Sequence, residues 1–215
     1  MKKSVLAVVL GSVLVSGAVT AHEAGSALLR VGGVFVEANS SSKGVTSPEV
    51  KLDVRNNAQL GLTATYMLTD NLGVELLGAT PFKHKIRATV PAAGLNLGNV
   101  ATVKHLPPSL YLQYYFLDKD AGSRPYIGAG LNYTRFFSAK STHSAVTNLQ
   151  VKKHSFGPVL NAGIDIKLTD KVSLNAAMWY TKIKTTAKFE ALGLNHEVKI
   201  KLDPFVYFAG VTYKF

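Results

Sequence analysis

A two-residue rhythm that returns along the whole chain constrains its fold more than any other feature. Between Asn57 and Leu68, the residues Ala58, Leu60, Leu62, Ala64, Tyr66 and Leu68 share one face; Gln59, Gly61, Thr63, Thr65 and Met67 share the other. Leu160, Ala162, Ile164, Ile166 and Leu168 likewise oppose Asn161, Gly163, Asp165 and Lys167. Val172, Leu174, Ala176, Met178 and Tyr180 oppose Ser173, Asn175, Ala177, Trp179 and Thr181. A period of two belongs to strands whose faces meet unlike environments.

Punctuation sets the strand count. Leu68-Thr69-Asp70-Asn71-Leu72 and Leu168-Thr169-Asp170-Lys171-Val172 are near-copies, and Asp118-Lys119-Asp120-Ala121-Gly122-Ser123 lies midway. These are compact polar turns. Longer connections rich in Ser, Gly, Asn or Lys lie near 38–56, 86–101, 138–150 and 185–197. Three turns and four long loops join eight predicted strands, at 26–37, 57–68, 72–85, 102–117, 124–137, 151–168, 171–184 and 198–215. A tilted strand crossing a bilayer needs about 9–11 residues, and these are long enough. Short turns at one end and long loops at the other predict an all-β fold, an eight-stranded antiparallel transmembrane β-barrel with short periplasmic turns and long extracellular loops. Such a sheet must close, because an open edge in hydrocarbon leaves backbone groups unpaired.

The two ends of the chain bear on location. Residues 1–21 carry Lys2 and Lys3, then an apolar run, then Val19-Thr20-Ala21, the pattern of a signal peptide cut after Ala21. The barrel is then expected over 22–215. Phe215, Tyr213, Val211, Ala209, Tyr207 and Phe205 share one face, a terminus that resembles the assembly signal of bacterial outer-membrane barrels, with Tyr213 and Phe215 as its carriers. The expected location is the bacterial outer membrane, and the expected partners include its assembly machinery. With 47% apolar and 17% charged residues, a disordered solvating chain is excluded. Cysteine is absent, so there are no disulfides and no thiol chemistry.

The basic excess is one-sided. The loop-proximal segments 38–57, 82–105, 134–154 and 182–202 hold 16 basic and four acidic residues; the rest of 22–215 holds six basic and nine acidic. Lys83, Lys85, Arg87, Lys104, Lys152, Lys153, Lys182 and Lys184 are therefore expected to face lipopolysaccharide phosphates and outer-membrane lipid. Export argues against a nucleic-acid partner despite the basic charge.

Longer motifs carry a family likeness. Gly73-Val74-Glu75-Leu76-Leu77-Gly78-Ala79-Thr80-Pro81-Phe82, His105-Leu106-Pro107-Pro108-Ser109-Leu110, Arg124-Pro125-Tyr126-Ile127-Gly128-Ala129-Gly130-Leu131-Asn132-Tyr133-Thr134 and Leu202-Asp203-Pro204-Phe205-Val206 resemble the OmpW family of small outer-membrane proteins. His22-Glu23-Ala24-Gly25 matches its mature start, whereas Phe205 stands where the family often has Trp. The resemblance implies a narrow, rather apolar lumen that admits small hydrophobic ligands.

Strand phase refines that expectation. Trp179 lies on the polar, inward face of its strand, and Leu77 lies inward with Glu75. An eight-stranded bore is just wide enough for side chains to fill it, so Leu77 and Trp179 are the candidate constriction, matching the family's Leu and Trp positions. Arg30, Glu75 and Asp165 should share the turn-side interior, where buried charges must pair. Pro81, Pro107, Pro108, Pro158 and Pro204 fall in the loop-side halves of strands. Proline cannot donate to a ladder, so they should loosen the wall and offer a ligand a sideways exit into lipid.

Other chemistry is not expected. The six histidines, His22, His84, His105, His143, His154 and His196, do not pair at metal-ligand spacing along a strand, so no metal and no cofactor is expected. No G-x-S-x-G elbow or other catalytic cluster is present, so no catalytic residue and no enzyme activity is expected. Two readings remain: a hydrophobic channel for passive uptake or efflux of small apolar molecules, or a non-conducting surface barrel that binds lipopolysaccharide or serves as a phage or bacteriocin receptor.

Overall fold

In the computed structural model, residues 22–191 and 193–215 are described. The predicted signal peptide, 1–21, lies outside the described residues. In chain order the strands are β1 (Ala27–Glu37), β2 (Ser40–Gly44), β3 (Lys51–Val54), β4 (Asn57–Met67), β5 (Leu72–Ala79), β6 (Phe82–Val90), β7 (Leu95–Leu106) and β8 (Ser109–Tyr115). They continue as β9 (Ser123–Ser141), β10 (Val146–Val151), β11 (His154–Lys167), β12 (Val172–Thr181), β13 (Ile183–Ala191), β14 (Leu194–Leu202) and β15 (Phe205–Lys214).

Eight of them close a ring in the order β1, β4, β5, β8, β9, β11, β12, β15 and back to β1. Every neighbouring pair is antiparallel. The near-copied turns close identically. Leu68 N–H donates to the Leu72 carbonyl, as Leu168 does to Val172, and the Thr69 and Thr169 hydroxyls each accept from the backbone N–H groups two and three residues further on.

The alternation maps onto inside and outside. In β5, Leu76 is 52% exposed while its neighbours Glu75 and Leu77 are buried at 0% and 8%. Val31, Leu60, Leu62, Leu110, Leu112, Leu131, Leu160 and Leu174 all stand on the outer wall. Aromatic rings fringe this apolar band at both ends: Tyr66, Tyr114, Phe116, Tyr213 and Phe215 near the turns, and Phe35, Tyr207 and Phe156 near the other rim. That is the surface a barrel presents to lipid.

Inside, glycines make room for rings. Gly61, Gly32 and Gly210 stand opposite one another across β4, β1 and β15, and the Phe208 ring lies over Gly61 and Gly210. A methyl group at Gly163 would sit 2.5 Å from the Tyr126 hydroxyl.

The four long connections expected as loops are mostly β-structure, which corrects the sequence reading. The other seven strands, together with the upper part of β9, rise beyond the ring. They form the run β9-β7-β6-β3 and the separate sheet β10-β13-β14-β2. The reason is a second core. Leu52, Ile86, Val100, Phe136, Phe189, Val198 and Ile200 point inward from these strands and bury one another. Their polar outward neighbours, such as Lys51, Asp53, Lys188 and Lys199, make the same segments read as solvated loops.

Several predicted long strands are also broken in two. The breaks fall at Thr80–Pro81, Pro107–Pro108, Lys182 and Asp203–Pro204, where barrel gives way to extension. Pro158 lies inside β11 instead, and its carbonyl accepts from Thr181 Oγ1 and Lys182 N–H.

Candidate functional site: a stacked lumen

The lumen has three levels. At the turn end the interior is polar and filled. Arg30 is 1% exposed, and all five of its N–H groups are used: toward Asp165 at 3.3 and 2.7 Å, Thr65 at 2.6 Å, the Tyr115 hydroxyl at 2.8 Å, and Glu75. Asp165 also accepts from His22, Asn175 and Thr212 at 2.9 Å each, and Glu75 accepts from Thr65 and Tyr111. Arg124 lies over the Tyr115 ring and donates to the Leu117 carbonyl at 3.0 Å. Two guanidinium groups thus balance two carboxylates in a buried cluster, where a lone charge would cost several kcal/mol.

Above this cluster sits an aromatic floor. The Trp179 indole N–H donates to the Tyr111 hydroxyl at 2.7 Å, and Tyr111 in turn bonds Glu75. The Trp179 ring meets Phe208 edge-on at 6.0 Å. Leu77 and Trp179 both line the lower cavity, which has about 510 Å³ of non-atom space, counting its open side, and further walls of Val34, Val36, Ala79, Phe82 and Val159.

The third level is the extension. Its two sheets enclose about 980 Å³ of non-atom space, counting the open mouth, against Leu52, Ile86, Val100, Phe136, Phe189 and Ile200. Between the cavities, His84 Nε2 and His105 Nε2 lie 2.9 Å apart, and His84 Nδ1 is 2.6 Å from the Arg55 carbonyl. Phe82 and Phe136 flank His105. These strands stand above the apolar band, since their outward residues are Lys83, Lys85 and Lys104. Burial pushes both imidazoles down from 6.5, His105 to about 3, with the charge of His84 adding to the shift; the Arg55 carbonyl partly offsets the shift at His84.

The wall has a gap beside the lower cavity. β5 and β8 pair up to Leu77 and Ser109, and β6 and β7 pair from Phe82 and His105. No ladder pair joins 78–81 to 106–108 between them. Pro81, Pro107 and Pro108 sit in this interval, while Pro204 breaks the chain between β14 and β15.

The expected basic residues take up outward positions on the extension. Lys83, Lys85, Lys104, Lys152, Lys153, Lys182 and Lys184 are exposed, and Arg87 is half-buried. Tyr213 and Phe215 are exposed at the turn end, their rings 4.8 Å apart.

Sequence reasoning missed the histidine pair, because His84 and His105 lie on different strands of one hairpin. Their shared inward phase was the available signal. It also missed Arg124 and Tyr111, whose inward phase is read only once β8 and β9 are placed in register, and Phe208, whose place on the inward face of the last strand was legible but was given no role. No group of three or more metal-ligand side chains forms among the described residues.

Comparison with known proteins decides the family. The OmpW family model matches residues 23–215. This chain belongs to the OmpW family. Outer membrane protein W of Escherichia coli (strain K12) is 40% identical over 221 residues, covering all of both chains. The crystal structure of the outer membrane protein OprG from Pseudomonas aeruginosa superposes with a TM-score of 0.84 at 33% identity, covering 92% of this chain and 99% of that one. A more distant relative, "Dibenzothiophene metabolism operon protein PahQ" of Pseudomonas aeruginosa, is 27% identical over 181 residues, 81% of this chain and 82% of that one. As a member of the family, the protein resides in the outer membrane, its barrel in the bilayer beside lipopolysaccharide.

Proposed function

We propose that the protein is a passive conduit for small apolar molecules across the lipopolysaccharide leaflet. The carrying observation is the stacking of two apolar cavities above a filled, charge-paired base. A water-filled pore would have polar walls and an open floor. Here the walls are mainly aliphatic and aromatic, and such surface favours a ligand that leaves water.

On this reading the ligand enters the mouth of the extension and passes His105 into the lower cavity. Leu77 and Trp179 form the constriction that stops it there. Arg30, Glu75 and Asp165 form the plug beneath. The exit is sideways, through the unpaired stretch between 78–81 and 106–108, where Pro81, Pro107 and Pro108 withhold ladder donors. The name of the relative PahQ ties that protein to an operon for an apolar aromatic, which suits such a cargo.

The test is uptake of naphthalene by a strain lacking the protein, complemented with wild type, Trp179→Ala or Ala79→Phe. Wild type should restore uptake, and Ala79→Phe, which fills the lower cavity, should return it to the level of the deletion. Trp179→Ala should alter the rate. Equal uptake in all strains overturns the conduit and favours a second reading, a surface barrel whose outward Lys83, Lys85, Lys104, Lys182 and Lys184 bind lipopolysaccharide phosphates.

A further inference from the structure

The histidine pair sets polar groups between the two apolar cavities, and its proton positions follow from hydrogen-bond chemistry. The Arg55 carbonyl can only accept, so His84 Nδ1 carries a hydrogen and donates to it. His84 Nε2 is then a lone-pair acceptor, and His105 Nε2 must donate to it across 2.9 Å. A neutral imidazole holds one N–H, so His105 Nδ1 is left a bare acceptor. That atom is buried and bonded to no group among the described residues.

Its place in the lumen gives this orphan a use. His105 lines both the upper and the lower cavity, and it is the one side chain common to their two linings among the described residues. Nδ1 itself has almost no surface open to either cavity, so a molecule sliding past this ring meets it only by pushing aside the side chains that cover it. A buried acceptor without a partner is costly, and a ligand that donates to it removes that cost. A wholly hydrocarbon ligand leaves it unsatisfied, and an ether offers only a second acceptor.

We propose that His105 is a specificity-determining residue of the passage, and that the favoured ligand is a small apolar molecule carrying a single hydroxyl, whose O–H donates to His105 Nδ1. The inference rests on the conduit reading and narrows its cargo to alcohols and phenols over hydrocarbons and ethers of equal size. Phe82 and Phe136 flank the imidazole and hold its plane, so the ligand's apolar body has aromatic surface on either side of the hydrogen bond.

The test compares cyclohexanol with methoxycyclohexane, an acceptor-only analogue, on the full protein in lipid nanodiscs. Trp179 is the only tryptophan and lines the lower cavity, so its fluorescence reports occupancy. Free concentrations are corrected for uptake by empty nanodiscs. Wild type should bind the alcohol about tenfold more tightly than the ether, the effect of one buried hydrogen bond. In His105→Phe, ether affinity should hold and alcohol affinity should fall to match it. Equal binding of both by wild type overturns the role of His105 and leaves the apolar cavities standing. Binding of neither overturns the conduit as well. The wild-type comparison needs no substitution, so it decides the matter even if His105→Phe fails to fold.

Discussion

At the residue scale, the lumen shows how one step along a strand changes a side chain's world. Leu76 faces lipid, while Glu75 and Leu77 on either side of it are buried inside. The paired imidazoles of His84 and His105 carry a pH dependence of definite sign. His105 is held near 3 in the fold against 6.5 in an unfolded chain, and His84 is lowered too. The unfolded hairpin therefore binds more protons between these values. Stability of the extension is complete above about 6.5 and drains away as pH falls toward 3. Amide exchange in β6 and β7, corrected for its intrinsic pH dependence, should lose up to about tenfold of protection per pH unit per proton taken up. His105→Phe should flatten that dependence, and an unchanged slope would mean that the pair does not titrate on opening.

At the element scale, the interrupted ladder is the feature with consequences. Leu77 and Ser109 end one paired stretch, and Phe82 and His105 begin the next. Replacing Pro107 and Pro108 with Val restores two N–H donors to the seam and should slow uptake of the apolar cargo several-fold while leaving the barrel intact. Unchanged uptake would argue against the sideways exit. Much of the ring was legible from sequence, because Asn57–Met67, His154–Lys167 and Val172–Thr181 alternate cleanly and the Thr69 and Thr169 turns announce themselves. The extension was not. Its strands bury one face in a small private core and wet the other, so Lys51-Leu52-Asp53-Val54 and Asn195 to Lys201 mix the signals of loop and strand. The breaks at Pro81, Pro107 and Pro204 were read as loosened wall within continuous strands, because proline marks a lost donor but not how far the chain swings afterward. In the lumen, Arg30, Glu75 and Asp165 could be phased individually. Their partners His22, Tyr115 and Asn175 come from elements whose relative stagger no single-strand pattern encodes.

At the scale of the whole molecule, charge and grease are sorted vertically. Cations stand around the extension, hydrocarbon surrounds the ring, and a neutral cluster of two guanidinium and two carboxylate groups fills the base. Such a base should hold back ions as well as ligand. In planar bilayers the wild type should show no steady conductance. Removing the cluster together, as Arg30→Ala, Glu75→Ala, Arg124→Ala and Asp165→Ala in one chain, should give long-lived openings, because water then fills the vacated space without a stranded charge. A wide, weakly selective wild-type pore would refute the plug. The seam carries one more consequence. Gly32 meets Gly210, and β1 zips to β15 along ten residue pairs, from Leu28 with Lys214 to Glu37 with Phe205. The first staves laid must therefore wait for the last before the cask can be hooped, so a ribosome that halts short of Phe205 releases an open, edge-bearing sheet and no smaller working vessel.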